Sequence, residues 1–441
     1  MTAAAHVTPA NPVALQPRVL QLPFPHAGGG PSQSRPIPRD GFLLGHGELV
    51  FDEAFGDPAM SPRHAQIRLR GAQATVSDLG GGGGTRLNGV AISELRGLVE
   101  GDVLRLGDTV LIYTRAARAV PVREERPSAE PELTGRTESI EAVRRSVAAV
   151  AAHPRTVVVA GETGAGKEIV ARLLHRSSGR AGAFLAVNCG GFSEGLLASE
   201  LFGHVRGAFT GAIADQPGLF RAAQGGTLLL DEAGDIPLAL QPILLRVLET
   251  RLVRPVGSSR DVAVDVRVVA ASNRELVTLV QRGLFRADLY ARLAQWVIRL
   301  PALRERRADI PALCRALLAR LGSAGRAMTP DLEEALLIHP WPLNVRGLSN
   351  VLSIADIASP AGQPLDLVPE VVAALQDNRF EQVETPAEAP AAELDRASLE
   401  ALLRRFHGRV AEMARHVGVS RPKLYRLIWA ASLEPAHFRG R

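Results

Sequence analysis

The segment TVVVAGETGAGKE, residues 156–168, decides the fold of the largest part of this 441-residue chain. Its opening run of apolar, largely β-branched residues predicts a buried strand. The glycine-rich turn that follows lets backbone N–H groups converge on phosphate, and a lysine at the start of the next helix reaches the outer phosphates. We therefore predict a nucleotide-binding loop whose contacts are Gly161, Glu162, Thr163, Gly164, Ala165, Gly166, Lys167 and Glu168. Glu168 stands where such loops usually carry Ser or Thr, so magnesium must be held by other groups.

Three later apolar runs each end on polar residues. They are FLAV (184–187) before Asn188, GGTLLLDE (225–232) ending on Asp231 and Glu232, and VRVVAASN (266–273) ending on Ser272 and Asn273. Because ligands bind beyond the carboxyl ends of the strands in an open parallel sheet, we expect one site. Asp231 would hold Mg²⁺, directly or through water, and Glu232 would orient or deprotonate the attacking water. A helix cap is the alternative for this acidic pair.

Three arginines are candidates for sensing the nucleotide. Arg286 and Arg292 lie six residues apart in GLFRADLYARL (283–293). Arginines that reach a neighbouring subunit's nucleotide stabilise charge in the transition state, whereas surface salt bridges are the alternative for each. Arg346, in WPLNVRGL (341–348), lies near a predicted helix start and is a candidate second phosphate sensor. A helix-stabilising ion pair is its alternative.

The pattern along the chain predicts several domains, because single cores rarely exceed about 250–300 residues. Alternating short runs predict antiparallel strands, and strands that alternate with helices predict an α/β sheet. The expected segments are a disordered tail (1–36), a β-sandwich (37–116), a charged linker (117–132), an α/β domain (133–375), an acidic linker (376–393) and an all-helical end (394–441). We find no internal repeat.

The charge distribution and the cysteine content indicate the class of partner and the cellular environment of the protein. The net charge is +5, but residues 394–441 hold ten Lys/Arg against four Asp/Glu. This local surplus favours a nucleic-acid partner, with a solvated helix face as the alternative. Cys189 and Cys314 are far apart and form no CxxC pair, which fits a reducing cytosol. We find neither a signal sequence nor an apolar run long enough for a membrane span, and so expect a cytoplasmic protein without a membrane partner.

The segment ELFGHVRGAFTGA (200–212) carries the most specific resemblance. Between the phosphate loop and the acidic pair, it resembles the central AAA+ domain of sigma-54-dependent activators over about residues 133–375. The resemblance implies a surface loop that contacts sigma-54 and moves with the nucleotide state, formed by Gly207, Ala208, Phe209, Thr210, Gly211 and Ala212. Departures from the family pattern are Val205, Leu343 and Gly347.

The same resemblance implies roles for the polar residues identified above. Asn188 becomes a switch that senses Glu232, and Asn273 becomes part of the first sensor. Arg286 and Arg292 become the arginines that act in trans, and Arg346 becomes the second sensor. The implied assembly is a hexamer when active and a dimer at rest, with ATP and Mg²⁺ as ligands and a helical lid over about residues 305–375. Its partner is the sigma-54 RNA polymerase holoenzyme.

The front region resembles a forkhead-associated (FHA) domain, an eleven-strand β-sandwich that binds phosphothreonine peptides. The matching pieces are LLGH (43–46), SPRHA (61–65), DLGGGGGTRLNG (78–89) and GDVLRLGD (101–108). The resemblance implies phosphopeptide contacts at His46, Ser61, Arg63, Thr85 and Asn88. However, His46 replaces an arginine and Gly83 replaces an asparagine. Arginine binds phosphate bidentately, whereas histidine is half neutral near pH ~6.5, so we expect weak, pH-sensitive or lost binding of a phosphothreonine protein. A β-sandwich used for protein contact is the alternative.

The C-terminal segment resembles a Fis-type helix-turn-helix. It contains LDRASLEALLRRF (394–406), RVAEMARHVG (409–418) and VSRPKLYRLIWAAS (419–432), with Gly418 at the turn and Pro422 in the first turn of the last helix. The predicted DNA contacts are Ser420, Arg421, Lys423, Tyr425 and Arg426. A plain helical hairpin with basic ends is the alternative.

Together these observations predict a multidomain fold: an FHA-like β-sandwich, then an α/β P-loop AAA+ ATPase with a helical lid, then an all-α helix-turn-helix. The expected function is ATP-dependent transcription activation, in which the protein binds upstream enhancer DNA and remodels sigma-54 RNA polymerase under control of the front domain. The alternatives are a DNA-binding regulator and a phosphopeptide-binding scaffold, each with a vestigial ATPase.

Overall fold

Short strands with alternating burial form the front of the molecule. The structure, a computed structural model, describes residues 18–22, 33–38, 41–45, 57–70, 73–115, 133–376, 396–406 and 413. By internal contacts the chain divides into two units, residues 1–376 and 377–441. The front strands are β1 (Arg18–Leu22), β2 (Gln33–Pro36), β3 (Phe42–Leu44), β4 (Ala65–Arg70), β5 (Gln73–Asp78), β6 (Thr85–Leu87), β7 (Val90–Ile92), β8 (Arg96–Leu98), β9 (Val103–Leu106) and β10 (Thr109–Arg115).

These strands form two antiparallel sheets that pack face to face. One sheet has the order β2-β1-β10-β9-β6-β7 and the other the order β3-β4-β5-β8. The core between them contains Leu44, Ile67, Val76, Leu104 and Leu111, each fully buried. Inward and outward residues alternate along a strand, so one face of each sheet fills this core. The predicted β-sandwich is confirmed, with ten strands among the described residues where the resemblance implies eleven.

Two of the strands lie in the segment that we expected to be a disordered tail. β1 pairs with β10, from Arg18 opposite Arg115 to Gln21 opposite Ile112, and β2 pairs with β1. The expectation of disorder was therefore wrong for residues 18–22 and 33–36. The reason is that a strand this short is stabilised by its partner, and β10 lies far downstream, where a local sequence pattern carries no information about it. The rest of the tail lies outside the described residues.

The apolar runs of the central domain form a five-stranded parallel sheet. Its strands are β11 (Val157–Ala160), β12 (Phe184–Asn188), β15 (Thr227–Asp231), β18 (Arg267–Ser272) and β19 (Trp296–Arg299), in the order β12-β15-β18-β11-β19. β19 was not among the predicted strands. Short antiparallel pairs flank the sheet: β13 (Gly203–His204) with β14 (Gln216–Pro217), and β16 (Leu252–Val253) with β17 (Val262–Ala263).

Helices cover both faces of this sheet, which explains why its strands are apolar along their whole length. Leu229 and Val269 face one core, whereas Leu228 and Leu230 face the other. The helices of the domain are α1 (Glu138–Ala151), α2 (Lys167–Arg176), α3 (Glu194–Phe202), α4 (Leu219–Ala222), α5 (Gln241–Thr250), α6 (Leu276–Gln281) and α7 (Ala287–Leu293). Residues of α1 and α2 fill the first core, and residues of α3, α5, α6 and α7 fill the second.

Four further helices form a lid that shares its core with the front sandwich. They are α8 (Ile310–Arg320), α9 (Pro330–Ile338), α10 (Asn344–Ala358) and α11 (Pro369–Gln376). Their buried leucines pack in one cluster with Val103, Val110 and Ile112 from strands β9 and β10. Trp341 is almost fully buried in this core, and its indole N–H donates to Leu336 O at 2.9 Å. The sandwich and the lid are thus held together by apolar contacts that the sequence patterns did not predict.

The second unit is described only in part. Helix α12 (Arg396–Arg405) buries Leu399 and Leu403, and Arg404 pairs with Glu400 on its exposed side at 2.7 Å. The predicted DNA contacts at residues 420–426 lie outside the described residues. Across the part of the chain that the structure describes, no helix combines the length and the apolar character that crossing a bilayer requires.

The buried carboxyl of Glu333 on α9 makes the stability of the structure depend on pH. Burial raises its pKa to about 9, with the charge of Arg105 opposing the shift. The unfolded chain loses this proton near pH ~4.3, so stability from this group is complete below that pH and is lost as pH rises toward about 9. Glu333→Gln should therefore raise the thermal midpoint at pH 8 by about 2 °C or more.

Scanning calorimetry of the full chain at pH 8 and pH 4.5 measures this effect. The advantage of Glu333→Gln should shrink at the lower pH, because the unfolded chain then also retains much of the proton of this carboxyl. Glu370→Gln, at an exposed position on α11, is the matched control and should show no such trend. An advantage of equal size at both pH values would remove Glu333 as the cause.

Candidate nucleotide-binding site

The predicted phosphate loop connects β11 to α2 and has backbone angles that glycine adopts readily. Gly164 and Gly166 have φ of +74° and +107°. A side chain at Gly164 would also collide with Leu343 O of the lid, since its Cβ would lie 2.2 Å away. The Lys167 side chain is 7% exposed, and its Nζ donates to Gly161 O and Glu162 O at 3.0 and 3.3 Å. The loop therefore curves around its own lysine, as a phosphate cradle requires.

The ends of the neighbouring strands bring the predicted polar residues to the same edge. Asn188 and Asp231 are partners in register on β12 and β15. Asn273, just beyond β18, donates from Nδ2 to Thr163 Oγ1 of the phosphate loop at 3.3 Å. Asn188 Oδ1 accepts a hydrogen bond from Gly190 N–H at 2.9 Å. Its role as a switch that senses the glutamate stays a prediction.

Glu232 combines an unusual backbone with a perturbed carboxyl. Its φ of +49° lies in the left-handed region, which non-glycine residues rarely adopt and which occurs preferentially at functional sites. Burial raises the pKa of Glu232 and the charge of Asp231 adds to this, whereas the charge of Lys167 opposes it. A carboxylate with a raised pKa is a better proton acceptor, as general-base catalysis requires. The pKa shift also shows that Lys167 and the acidic pair share one electrostatic environment.

The donor set fits a magnesium ion bound together with a nucleotide. Asp231 and Glu232 supply the carboxylate oxygens that hard divalent cations prefer, at the edge where the phosphate loop ends. Glu168 is less suited, because its carboxylate pairs with Arg172 at 2.7 Å on the surface of α2 and its side chain is 53% exposed. Asp231 therefore remains the predicted metal ligand.

The start of helix α10 closes over the phosphate loop through contacts that the sequence did not reveal. Asn344, fully buried with φ of +50°, donates from Nδ2 to Glu162 Oε2 and Thr163 O at 3.1 and 3.0 Å. Its Oδ1 accepts from Leu303 N–H at 2.7 Å. Arg304 pairs with Glu162 at 2.5 Å and lowers the pKa of that carboxyl. No signal beyond membership of the WPLNVRGL segment pointed to Asn344.

Arg346, the predicted second sensor, lies in the same contact. The next residue toward the N-terminus, Val345, donates its N–H to Gly164 O at 3.1 Å. A Cβ built on Gly164 would lie 3.0 Å from the Cβ of Arg346. The structure thus places the Cβ of Arg346 against the phosphate loop, and its role as the second sensor stays a prediction.

The two arginines expected to act in trans have different surroundings. Arg286 precedes α7, and its guanidinium pairs with Asp288 at 2.7 Å with both side chains 46% exposed. Arg292 donates from Nη2 to Leu248 O at 2.9 Å within its own subunit. Its buried Nε has no hydrogen-bond partner among the described residues. Arg286 is therefore at the surface, whereas Arg292 is partly engaged inside; the trans role of each stays a prediction.

The predicted sigma-54 contact loop projects from a short β-hairpin. Its base is the pair β13 and β14, and its turn is held by Gly207 N–H donating to Ala212 O at 2.9 Å. Phe209 is 44% exposed, and its ring makes an edge-to-face contact with the His204 ring at a centroid distance of 5.0 Å. His204 in turn bonds Ser199 on α3 at 2.7 Å. An apolar tip thus lies at the surface on a base that is tied to a helix of the nucleotide domain.

Comparison with known proteins agrees with this arrangement. Residues 133–299 match the sigma-54 interaction domain, 304–382 the AAA+ ATPase lid domain, 45–107 the FHA domain, and 390–427 the bacterial regulatory proteins of the Fis family. The regulatory protein ZraR of Klebsiella oxytoca is 39% identical over 327 residues, which cover 71% of this chain and 72% of ZraR. The chain belongs to the sigma-54-dependent transcriptional regulators.

The chain spans a smaller share of the length of other similar proteins. The putative uric acid sigma-54-dependent regulator UacR of Escherichia coli K12 is 44% identical over 241 residues, 53% of this chain but only 41% of UacR. The crystal structure of NtrX from Brucella abortus in complex with ATP has a TM-score of 0.51 and 29% identity, covering 68% of this chain and 70% of NtrX. Together with the family matches, including the Fis-family match over residues 390–427, these comparisons confirm the predicted fold class with its C-terminal helix-turn-helix.

In this sigma-54-dependent regulator, the predicted phosphopeptide residues of the FHA domain divide into two groups. Thr85 and Asn88 support the fold, since Thr85 Oγ1 donates to Asp78 at 2.7 Å and Asn88 bonds both Asp102 and the Val103 N–H. Ser61 and Arg63 are accessible, and Ser61 Oγ accepts from Gly82 N–H at 2.8 Å. His46 lies outside the described residues. Their role in binding a phosphopeptide stays a prediction.

Asn344 provides a direct test of the contact between lid and phosphate loop. Asn344→Ala leaves the Leu303 N–H and the Thr163 carbonyl without their buried partner, which should lower the free energy of unfolding by about 1–3 kcal/mol. The affinity for ATP should fall as well, because the loop loses its support. Ser353→Ala on the same helix is the control, since Ser353 Oγ bonds only the helical carbonyl of Ser349. Unchanged denaturant midpoints and ATP affinity in Asn344→Ala would contradict the assignment.

Proposed function

We propose that this regulator hydrolyses ATP and uses the cycle to remodel the sigma-54 RNA polymerase holoenzyme at promoters. The observation that carries the proposal is the meeting of Lys167, Asp231, Glu232 and Asn273 at one edge of the sheet, in the domain that also carries the intact loop 207–212. A vestigial ATPase would not be expected to retain every charged group of this site.

The residues of the chain suggest how hydrolysis proceeds. Lys167 and the backbone N–H groups of the loop bind the β- and γ-phosphates and hold the γ-phosphorus in line with a water molecule. Glu232 accepts the proton of that water as its oxygen bonds to the γ-phosphorus, and the bond from the γ-phosphorus to the bridging oxygen breaks so that ADP leaves. Magnesium, carried in with ATP and held by Asp231, would neutralise charge on the phosphate oxygens. Arg286 or Arg292 of a neighbouring subunit would complete the site, which requires the hexamer that we propose as the active form.

The other two domains are proposed to direct this activity to particular DNA sites and to regulate it. We propose that the Fis-type segment binds enhancer DNA through Arg421, Lys423, Tyr425 and Arg426, with Ser420 at the helix start. Its surplus of basic residues supports a salt-dependent affinity. The FHA domain is proposed to sense a phosphothreonine protein. The ion pairs and the apolar core between this domain and the lid support such an input.

Glu232→Gln tests the enzymatic part of the proposal. The amide cannot accept a proton from water, so ATP should still bind while hydrolysis slows at least ~100-fold, the usual loss when a general base is removed. Phosphate release and equilibrium ATP binding are the measurements. Glu194→Gln removes an exposed carboxyl from the same domain and should leave both unchanged. Normal turnover in Glu232→Gln would exclude Glu232 as the base.

Thr210→Ala tests whether ATP hydrolysis can be separated from promoter opening. The loop tip is exposed and is not among the residues that meet at the strand ends, so hydrolysis should stay within about twofold of the wild type. Open-complex formation by sigma-54 polymerase, followed by permanganate footprinting, should be lost. Thr250→Ala, an exposed threonine on α5, serves as the control. Normal promoter opening by Thr210→Ala would disprove a coupling role for the loop.

A further inference from the structure

Two arginines of the FHA domain face each other across neighbouring strands. Arg86 on β6 and Arg105 on β9 are directly opposite in register. Like charges in this arrangement repel and destabilise a sheet unless anions lie between them. Two of the anions here come from the lid: Glu334 Oε2 accepts from Arg86 Nη1 and Arg105 Nη1 at 3.2 and 3.0 Å, and Asp331 Oδ1 accepts from Arg105 Nη1 at 2.6 Å. Asp108 of the FHA domain, 57% exposed, lies 3.8 Å from Arg105 Nη2. The arginine pair is therefore an anion-binding site with an occupant from the same chain.

The fit of that occupant is incomplete. Glu334 is buried, with its side chain 7% exposed, yet its second oxygen, Oε1, is shielded from water and has no hydrogen-bond partner among the described residues. A buried acceptor without a partner costs about 1–3 kcal/mol. Asp331 is 61% exposed, so its bond to Arg105 is open to water on one side. Asp331 and Glu334 thus balance the charge of the arginines, but one carboxylate oxygen of Glu334 remains without a hydrogen bond among the described residues.

An open cavity of about 330 Å³ borders the same two arginines. Its other lining residues are Ala59, Gly82, Gly83, Gly84, Gly107 and Asp108. Side chains built on Gly83 and Gly84 would meet nothing within 4 Å, so this wall leaves free space. Arg105 Nε donates to Gly107 O at 3.0 Å, which fixes this guanidinium at the cavity wall. A small anionic group that enters the cavity lies next to both arginines.

We propose that Arg86 and Arg105 bind a phosphorylated side chain of a partner peptide, and that the peptide and the lid acids compete for this site. A phosphate group carries about −1.5 to −2 charges and three acceptor oxygens, whereas each carboxylate carries one charge and two oxygens. Two guanidinium forks suit the phosphate better. The residues that usually supply phosphate contacts in this fold are replaced at His46 and Gly83. The proposal rests on the sensor role assigned above and names the residues that perform it.

Competition at this site would reach the nucleotide pocket through the lid. Asp331 and Glu334 belong to α9, and Leu336 on the same helix accepts the indole N–H of Trp341 at 2.9 Å. Trp341 O in turn accepts from Asn344 N–H at 2.9 Å, and Asn344 bonds the phosphate loop. Loss of the ion pairs between α9 and the FHA domain would therefore remove a constraint from α10, whose start closes over the loop, while the shared apolar core stays in place.

The test uses the full chain and a degenerate phosphothreonine peptide library, with the unphosphorylated library as reference. Asp331→Asn combined with Glu334→Gln removes the competing charges and should tighten phosphopeptide binding about tenfold or more. Arg86→Gln changes a side chain that is 43% exposed, so the fold should be retained, and it should weaken binding by a similar factor. Arg96→Gln, exposed on the opposite sheet, is the matched control and should bind as the wild type does.

Hydrogen exchange in residues 330–338 supplies an independent readout. Phosphopeptide should raise exchange in the wild type, and the double acid variant should show raised exchange without peptide. Unchanged affinity in the acid variant, wild-type affinity in Arg86→Gln, or no binding by either the wild type or the acid variant would overturn the proposal. ATP hydrolysis is measured in parallel. Wild-type peptide affinity in Arg86→Gln contradicts only this proposal, whereas absence of phosphopeptide binding in both the wild type and the acid variant contradicts the proposed sensor role as well. Lost turnover in the wild type contradicts the proposed ATPase activity.

Discussion

The convergence of parallel strands on one backbone loop is the constraint on which the structure depends. A parallel sheet places the carboxyl ends of its strands at one edge, and here that edge meets residues 161–167. Gly164 permits the close approach, because its missing Cβ leaves room for Leu343 O of the lid. The phosphate loop is thus in contact with the sheet on one side and with the lid on the other. Any ligand bound there acts on both.

The lid connects the phosphate loop to the FHA domain. Its leucine core includes Val103, Val110 and Ile112 of the FHA domain, and Asn344 connects the same lid to the phosphate loop. The loop predicted to contact sigma-54 is connected through His204 to Ser199 on α3, a helix whose leucines pack in the core on the sheet. The residues proposed for sensing, hydrolysis and polymerase contact therefore lie on elements that share buried contacts.

The sequence predicted what depends on local pattern. The strands β11, β12, β15 and β18, the phosphate loop and the acidic pair follow from apolar runs that end on glycine or polar residues, and the structure brings them together as expected. β1 and β2 were missed because their stability comes from pairing with a distant strand. Asn344 and the Arg86–Glu334 contact were missed for a related reason. Each joins two segments that are distant in the sequence, and such a contact produces no periodic pattern in either segment.

Nucleotide-dependent movement of the sigma-54 contact loop is the central claim, and hydrogen exchange over residues 203–217 tests it most directly. The measurement compares the protein with ADP and with a nonhydrolysable ATP analogue, each with Mg²⁺ and at saturating concentration. The account predicts a difference in exchange between the two states, which Lys167→Ala abolishes because the lysine no longer binds the outer phosphates. Equal exchange in both states of the wild type, with nucleotide binding verified, would contradict it.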